Sequence, residues 1–125
     1  MGYSTQNTMF YGGGTLESAA DLSAKGGYGF KFSAGTAALA DADNCDGVIV
    51  DGGTVSGDQV TCGFGECRVV TSAAVVAGAL ICCDANGKFL TAPSGKNPVG
   101  KALTKSAADG DVITAFIYGA VDEEI

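Results

Sequence analysis

The side chains able to do chemistry in this chain are few and badly spaced. There is no histidine among the 125 residues, which removes the commonest general acid or base at neutral pH and the imidazole ligands of most catalytic zinc sites. The five cysteines are Cys45, Cys62, Cys67, Cys82 and Cys83, and no two form a CxxC pair. Cys62 and Cys67 straddle Gly63 and Gly65 at the wrong interval for a zinc knuckle, while the adjacent Cys82 and Cys83 would face opposite sides of a strand. Asp41, Asp43 and Asp46 lie in Asp41-Ala42-Asp43-Asn44-Cys45-Asp46-Gly47, which approaches a calcium loop. Its fifth position is Cys45, its glycine is displaced by one and no glutamate closes it, so it reads as an acidic surface turn. Gly12-Gly13-Gly14-Thr15 has no following Lys, and Gly26-Gly27-Tyr28-Gly29 opens no helix. Neither makes a phosphate or dinucleotide cradle. The expectation is no catalytic residue, no metal site and no cofactor.

The elements that would position such groups read as β-structure. Glycine supplies 20 residues and proline 2, with 8% aromatic residues, no Trp and an ordinary 46% hydrophobic content, a composition suited to a folded, turn-rich domain. Tyr28-Gly29-Phe30-Lys31-Phe32 alternates with its rings on one face. Val48–Val50, Gln59–Cys62, Glu66–Val70, Ala79–Cys83, Lys88–Thr91, Val99–Leu103 and Val112–Tyr118 follow as short runs between turn residues, the last being the longest. Strands this short and this regularly punctuated indicate an all-β sandwich or barrel, and the gaps leave no room for crossover helices. Ala-rich pieces at Thr36–Ala42 and Ala73–Ala77, and Glu17–Leu22, read as single helical turns.

The chain resembles itself. Phe30–Gly35, Asp46–Val50 and Ser56–Thr61 recur in order as Ile81–Gly87, Val99–Leu103 and Asp109–Thr114. Two copies are too few for a solenoid, so the expected fold is a small pseudo-symmetric β-barrel or sandwich with similar halves at about 28–64 and 79–119, inside one domain spanning 23–119. Residues 1–22 hold scattered anchors among polar residues and glycines, and read as an extended N-terminal arm that orders in the domain's own groove or on a neighbour. Residues 120–125 read as a solvated acidic tail.

Seven basic against 14 acidic residues leave a net charge of −7 and a pI near 4.2. Such a surface repels phosphate backbones and anionic lipid, so neither nucleic acid nor membrane is an expected partner. The first 20 residues lack the charged-then-apolar pattern of an export signal. The reading is therefore a cytoplasmically made protein whose cysteines are reduced thiols, buried as small hydrophobes.

In this order, Asp21–Phe32, Gly78–Ile81, Asp84–Lys88, Val99–Leu103 and Ala107–Ile113 resemble the small capsid decoration, or cement, proteins of tailed bacteriophages. The resemblance spans Asp21 to Gly119; the cysteines and the aromatic arm are outside its pattern. It implies a non-enzymatic virion protein on the outer surface of the head, commonly a homotrimer, that bridges major capsid subunits and stabilises the expanded shell. Tyr3, Met9, Phe10 and Tyr11 are then candidate anchors in a neighbour's pocket, since large aromatics dominate such interfaces. A head fibre or tail module is the alternative within the virion. A biotinyl-type carrier domain, which would need a modifiable lysine such as Lys88 at a hairpin tip, is the alternative outside it.

Overall fold

The computed structural model describes residues 13–42, 44–51 and 59–118. Ten strands form two five-stranded sheets, with no helix among the described residues. The first sheet contains β1 (Gly13–Ser18), β2 (Gly29–Ser33), β3 (Thr36–Leu39), β4 (Gly47–Asp51) and β5 (Gln59–Gly63). The second contains β6 (Gly65–Val70), β7 (Leu80–Cys83), β8 (Phe89–Thr91), β9 (Gly100–Ala102) and β10 (Val112–Ile117). This is the all-β architecture that the strand spacing predicts.

The first sheet closes into a barrel in the order β1-β3-β2-β4-β5, and the second runs β6-β10-β9-β7-β8. Adding five to each label turns one connectivity into the other. Register follows too: Thr15 faces Thr61 across β1 and β5, and Arg68 faces Thr114 across β6 and β10, an offset of 53 on both sides (15 to 68, 61 to 114). The first barrel is sealed by a parallel β1–β3 pair, where the Ala19 amide donates to the Ala37 carbonyl at 2.9 Å. The second has only a parallel bridge between Thr71 and Phe89 at that place, with the Ser72 amide donating to the Phe89 carbonyl, also at 2.9 Å.

Two glycines show why the halves share a sequence pattern. A Cβ on Gly47 would lie 2.9 Å from the Gly63 carbonyl oxygen, and one on Gly100 would lie 2.6 Å from that of Phe116. The two close approaches occupy equivalent places, where the fourth strand of each half pairs with the fifth.

The interior has two parts. Leu22, Phe30, Ala37, Ile49 and Cys62 fill the first barrel, with Tyr28, Leu39 and Phe64 packed against them. The second sheet curls around Val69, Ile81, Phe89, Val99, Ile113 and Ile117, and Ala40, Cys45 and Val48 from the first half complete that core. Successive residues of a strand point to opposite sides, so β4 is buried on both faces: Ile49 enters the barrel and Val48 the second core. That shared strand joins the halves. The buried hydroxyls are paired: Ser106 Oγ donates to the Ala73 carbonyl and accepts from the Val75 amide, and Thr71 Oγ1 donates to the Asp111 carbonyl.

Five expectations are corrected. The halves run over 13–63 and 65–117 rather than 28–64 and 79–119, because β1 and β6 open the two sheets. Glu17–Leu22 makes no helical turn, since Glu17 and Ser18 end β1. Gly13–Ser18, assigned to the arm, is strand β1 paired along its length with β5, and Leu22 is part of the barrel core, so the body begins before residue 23. Within Thr36–Ala42, Thr36–Leu39 is strand β3, not a helical turn, because Ala34 (φ 51°) and Gly35 (φ 86°) make the two-residue turn that folds it back on β2. Ala73–Ala77 is irregular, held by an antiparallel bridge between Val75 and Ser106. Residues 120–125 lie outside the described residues.

Candidate interaction surface

Strand β10 alternates strictly. Ile113, Ala115 and Ile117 enter the second core, while Val112, Thr114 and Phe116 point outward, followed by Tyr118 just beyond the strand. The Leu103 amide donates to the Thr114 carbonyl at 2.9 Å, which brings Leu103 beside β10. Across the sheet, register aligns Leu80, Lys101, Phe116 and Glu66 in one row. Leu80 is 49% exposed, Leu103 45%, Val112 50%, Phe116 49% and Tyr118 44%. Five of the large exposed hydrophobics thus crowd one face of one sheet, with Glu66, Arg68 and Lys101 among them. Scattered exposed apolar residues are ordinary, but a contiguous patch marks a contact surface.

The carboxylates are occupied with the fold. Asp84 accepts from the amides of Asn86 at 2.8 Å and Lys88 at 3.0 Å, and Asp111 from those of Ala107 and Ala108. Asp46 accepts from the Phe32 amide, and Asp41 accepts from Lys31 Nζ at 2.8 Å and from the Asn44 amide. Asp21 is held below its ordinary pKa by hydrogen bonds from the Ser23 amide and hydroxyl. The acidic turn at 41–47 therefore spends its described carboxylates on clamping the chain around β2. Among the described residues no group of three His, Cys, Asp or Glu is arranged to hold a metal. Lys88 pairs with Asp109 at 2.9 Å, and that bond raises the lysine's pKa, keeping the amine protonated and a poor nucleophile.

A cleft of about 360 Å³ opens between β4 and β6, lined by Val48, Ile49, Val50 and Val70 with Glu66 and Arg68 as its described charged residues. All five cysteines are buried. Desolvation pushes Cys62 and Cys67 up to about 11 each, so both stay protonated thiols at neutral pH.

The expected anchors Tyr3, Met9, Phe10 and Tyr11 lie outside the described residues. The outward face of the second sheet is the surface that sequence reasoning missed, although its signal is present. Val112-Ile113-Thr114-Ala115-Phe116-Ile117-Tyr118 carries apolar residues at both parities, the pattern of a strand buried on both faces. Here the described chain covers one face only.

No family model and no curated protein matches this sequence. Among solved structures, the chain is similar to the N base of the head fibre gp8.5 of bacteriophage phi29, with a TM-score of 0.67 and 14% sequence identity. The fold is shared with a phage head-fibre base. The match covers 90% of this chain and 99% of the head-fibre base, more than either sheet alone spans, so it includes both halves.

Proposed function

We propose that this chain is a non-enzymatic structural module of a phage virion, attached to the head through the outward face of its second sheet. The observation that carries the reading is the fold shared with a head-fibre base over nearly the full length of both chains. The apolar face of β10, uncovered among the described residues, supports it, because a strand that is hydrophobic on both sides wants cover on both. The lack of histidine and the engagement of the acidic turns as clamps agree with a protein that holds rather than reacts.

Within that class, the finer proposal is a decoration protein that sits on the outer surface of the shell as a homotrimer and bridges major capsid subunits. Each contact is modest, and linking three raises the effective concentration of the second and third, so the assembly holds tightly. The base of a head fibre is the second reading, favoured by the identity of the structural neighbour. Sedimentation of the purified chain with heads of its own phage tests the proposal. Saturable co-sedimentation supports it, and failure to bind at any stage of head maturation refutes it.

A further inference from the structure

Cys45, two residues ahead of β4, and Cys83, the last residue of β7, belong to different halves of the chain. Their Sγ atoms are 3.2 Å apart, with the Cys83 thiol donating to the Cys45 sulfur and the Cys45 thiol directed at the Gly47 carbonyl oxygen at 3.5 Å. Both residues are 3% exposed and lie in the core that joins the two sheets. The space they share depends on Gly29, since a Cβ there would lie 2.5 Å from Cys83 Sγ and 2.8 Å from Cys45 Sγ. Cys82 points to the opposite face of β7 from Cys83, and Cys62 belongs to the barrel core instead. Cys67 shares the core of Cys45 and Cys83, so what singles out this pair is its sulfur–sulfur contact.

We propose that Cys45 and Cys83 form an oxidative modification site at which a peroxide closes a disulfide between the two halves. One sulfur attacks a peroxide oxygen, the O–O bond breaks, and a sulfenic acid and one water result. The neighbouring sulfur then attacks the sulfenic sulfur. An S–S bond forms, the S–O bond breaks, and the departing hydroxide takes the remaining thiol proton as a second water. Two thiols lose two electrons and two protons, and one peroxide becomes two waters. A small neutral oxidant suits a site this enclosed. The hydrogen bond to Cys45, together with burial, holds the Cys83 thiol above its ordinary pKa, so the reaction is slow in the resting fold. The product ties residue 45 to residue 83, which restricts the unfolded chain and opposes separation of the sheets.

The test treats the native, full chain with hydrogen peroxide, alkylates it under denaturing conditions and digests it without reduction. The expected product is a linked peptide pair containing Cys45 and Cys83, about 2 Da lighter than the sum of its reduced peptides. Cys62, Cys67 and Cys82 are alkylated, and Tm is higher by several degrees until dithiothreitol restores it. A Cys82→Ala variant still forms the link, whereas Cys45→Ala does not. A Cys82–Cys83 or Cys62–Cys67 disulfide as the main product overturns the proposal. Sulfinic acid at Cys83 without a link, or all five thiols alkylated after prolonged exposure, overturns it equally. Mapping of the wild-type chain decides even if Cys45→Ala fails to fold.

Discussion

Phe89 and Phe116 are carried by the same sheet and do opposite things in it. Phe89 is fully buried in the core shared by the halves, whereas Phe116 leaves half of its side chain in water on the outward face. Replacing Phe89 by alanine removes a whole ring from a closed interior and leaves a cavity, a change worth ~3–5 kcal/mol. For Phe116→Ala the arithmetic differs. Full burial of a phenylalanine is worth ~1.5–3 kcal/mol and about half is realised here, so the loss is about 1 kcal/mol, with no cavity because the site opens to solvent. The ring's exposed half is the part that a partner would cover, and an aromatic anchor at an interface centre is worth about 2 kcal/mol or more, close to a 30-fold loss of affinity when truncated. Phe116→Ala is thus expected to fold, to unfold at slightly lower denaturant and to lose most head binding. Phe89→Ala is expected to lose a large share of a stability that is only ~5–15 kcal/mol in a domain of this kind. Urea titration measures the first quantity and co-sedimentation with heads the second. Full binding by Phe116→Ala, or a collapse in its stability to match that of Phe89→Ala, would refute the assignment of the two faces.

Further outcomes follow from the turns and the thiols. Ala34 adopts φ 51°, so Ala34→Gly should relieve the clash of its Cβ and stabilise the β2–β3 hairpin by up to ~1 kcal/mol, read as a rise in the urea midpoint. Gly100→Ala should destabilise more than Gly26→Ala, because a Cβ at Gly100 meets the Phe116 carbonyl oxygen at 2.6 Å while one at Gly26 comes no closer than 3.6 Å, to the Val50 carbonyl oxygen; equal midpoints would contradict this. Cys62 and Cys67 titrate near 11 in the fold against an ordinary 9.0. Between those values the unfolded chain gives up protons that the native chain retains, so stability is intact below about pH 9 and falls as pH rises through about 11. Urea titrations across that range should show the decline, and a Cys62→Ala, Cys67→Ala double variant should show less of it.

The strands that were legible carry their own signal. Tyr28, Phe30 and Phe32 alternate, although Phe32 is 55% exposed and meets Phe30 edge to face, ring centroids 5.3 Å apart. β1 was not legible, because Gly13-Gly14-Thr15-Leu16-Glu17-Ser18 has little strand propensity of its own and is made a strand by pairing with β5. β3 reads as helix for the same kind of reason: Thr36-Ala37-Ala38-Leu39 suits a helix locally, and the turn at Ala34-Gly35 overrides it. The repeat showed through Gly47 and Gly100, where backbone contact demands glycine in both halves, but β1 and β6 hold different residues at every equivalent position and their equivalence lies in register alone. The outward face was missed because each of its residues sits in a strand whose other parity explains the strand already. Leu80, Leu103 and Phe116 come to one face only once the sheet is assembled, and no interval along the chain records that placement.

The central claim, a structural protein fixed to a phage head, is tested most directly by quantitative mass spectrometry of purified, DNA-filled heads. This chain is expected as intact polypeptide in a fixed ratio to the major capsid protein, near parity in order of magnitude for a decoration protein and far lower for a fibre base. Its absence from heads that are otherwise complete would contradict both.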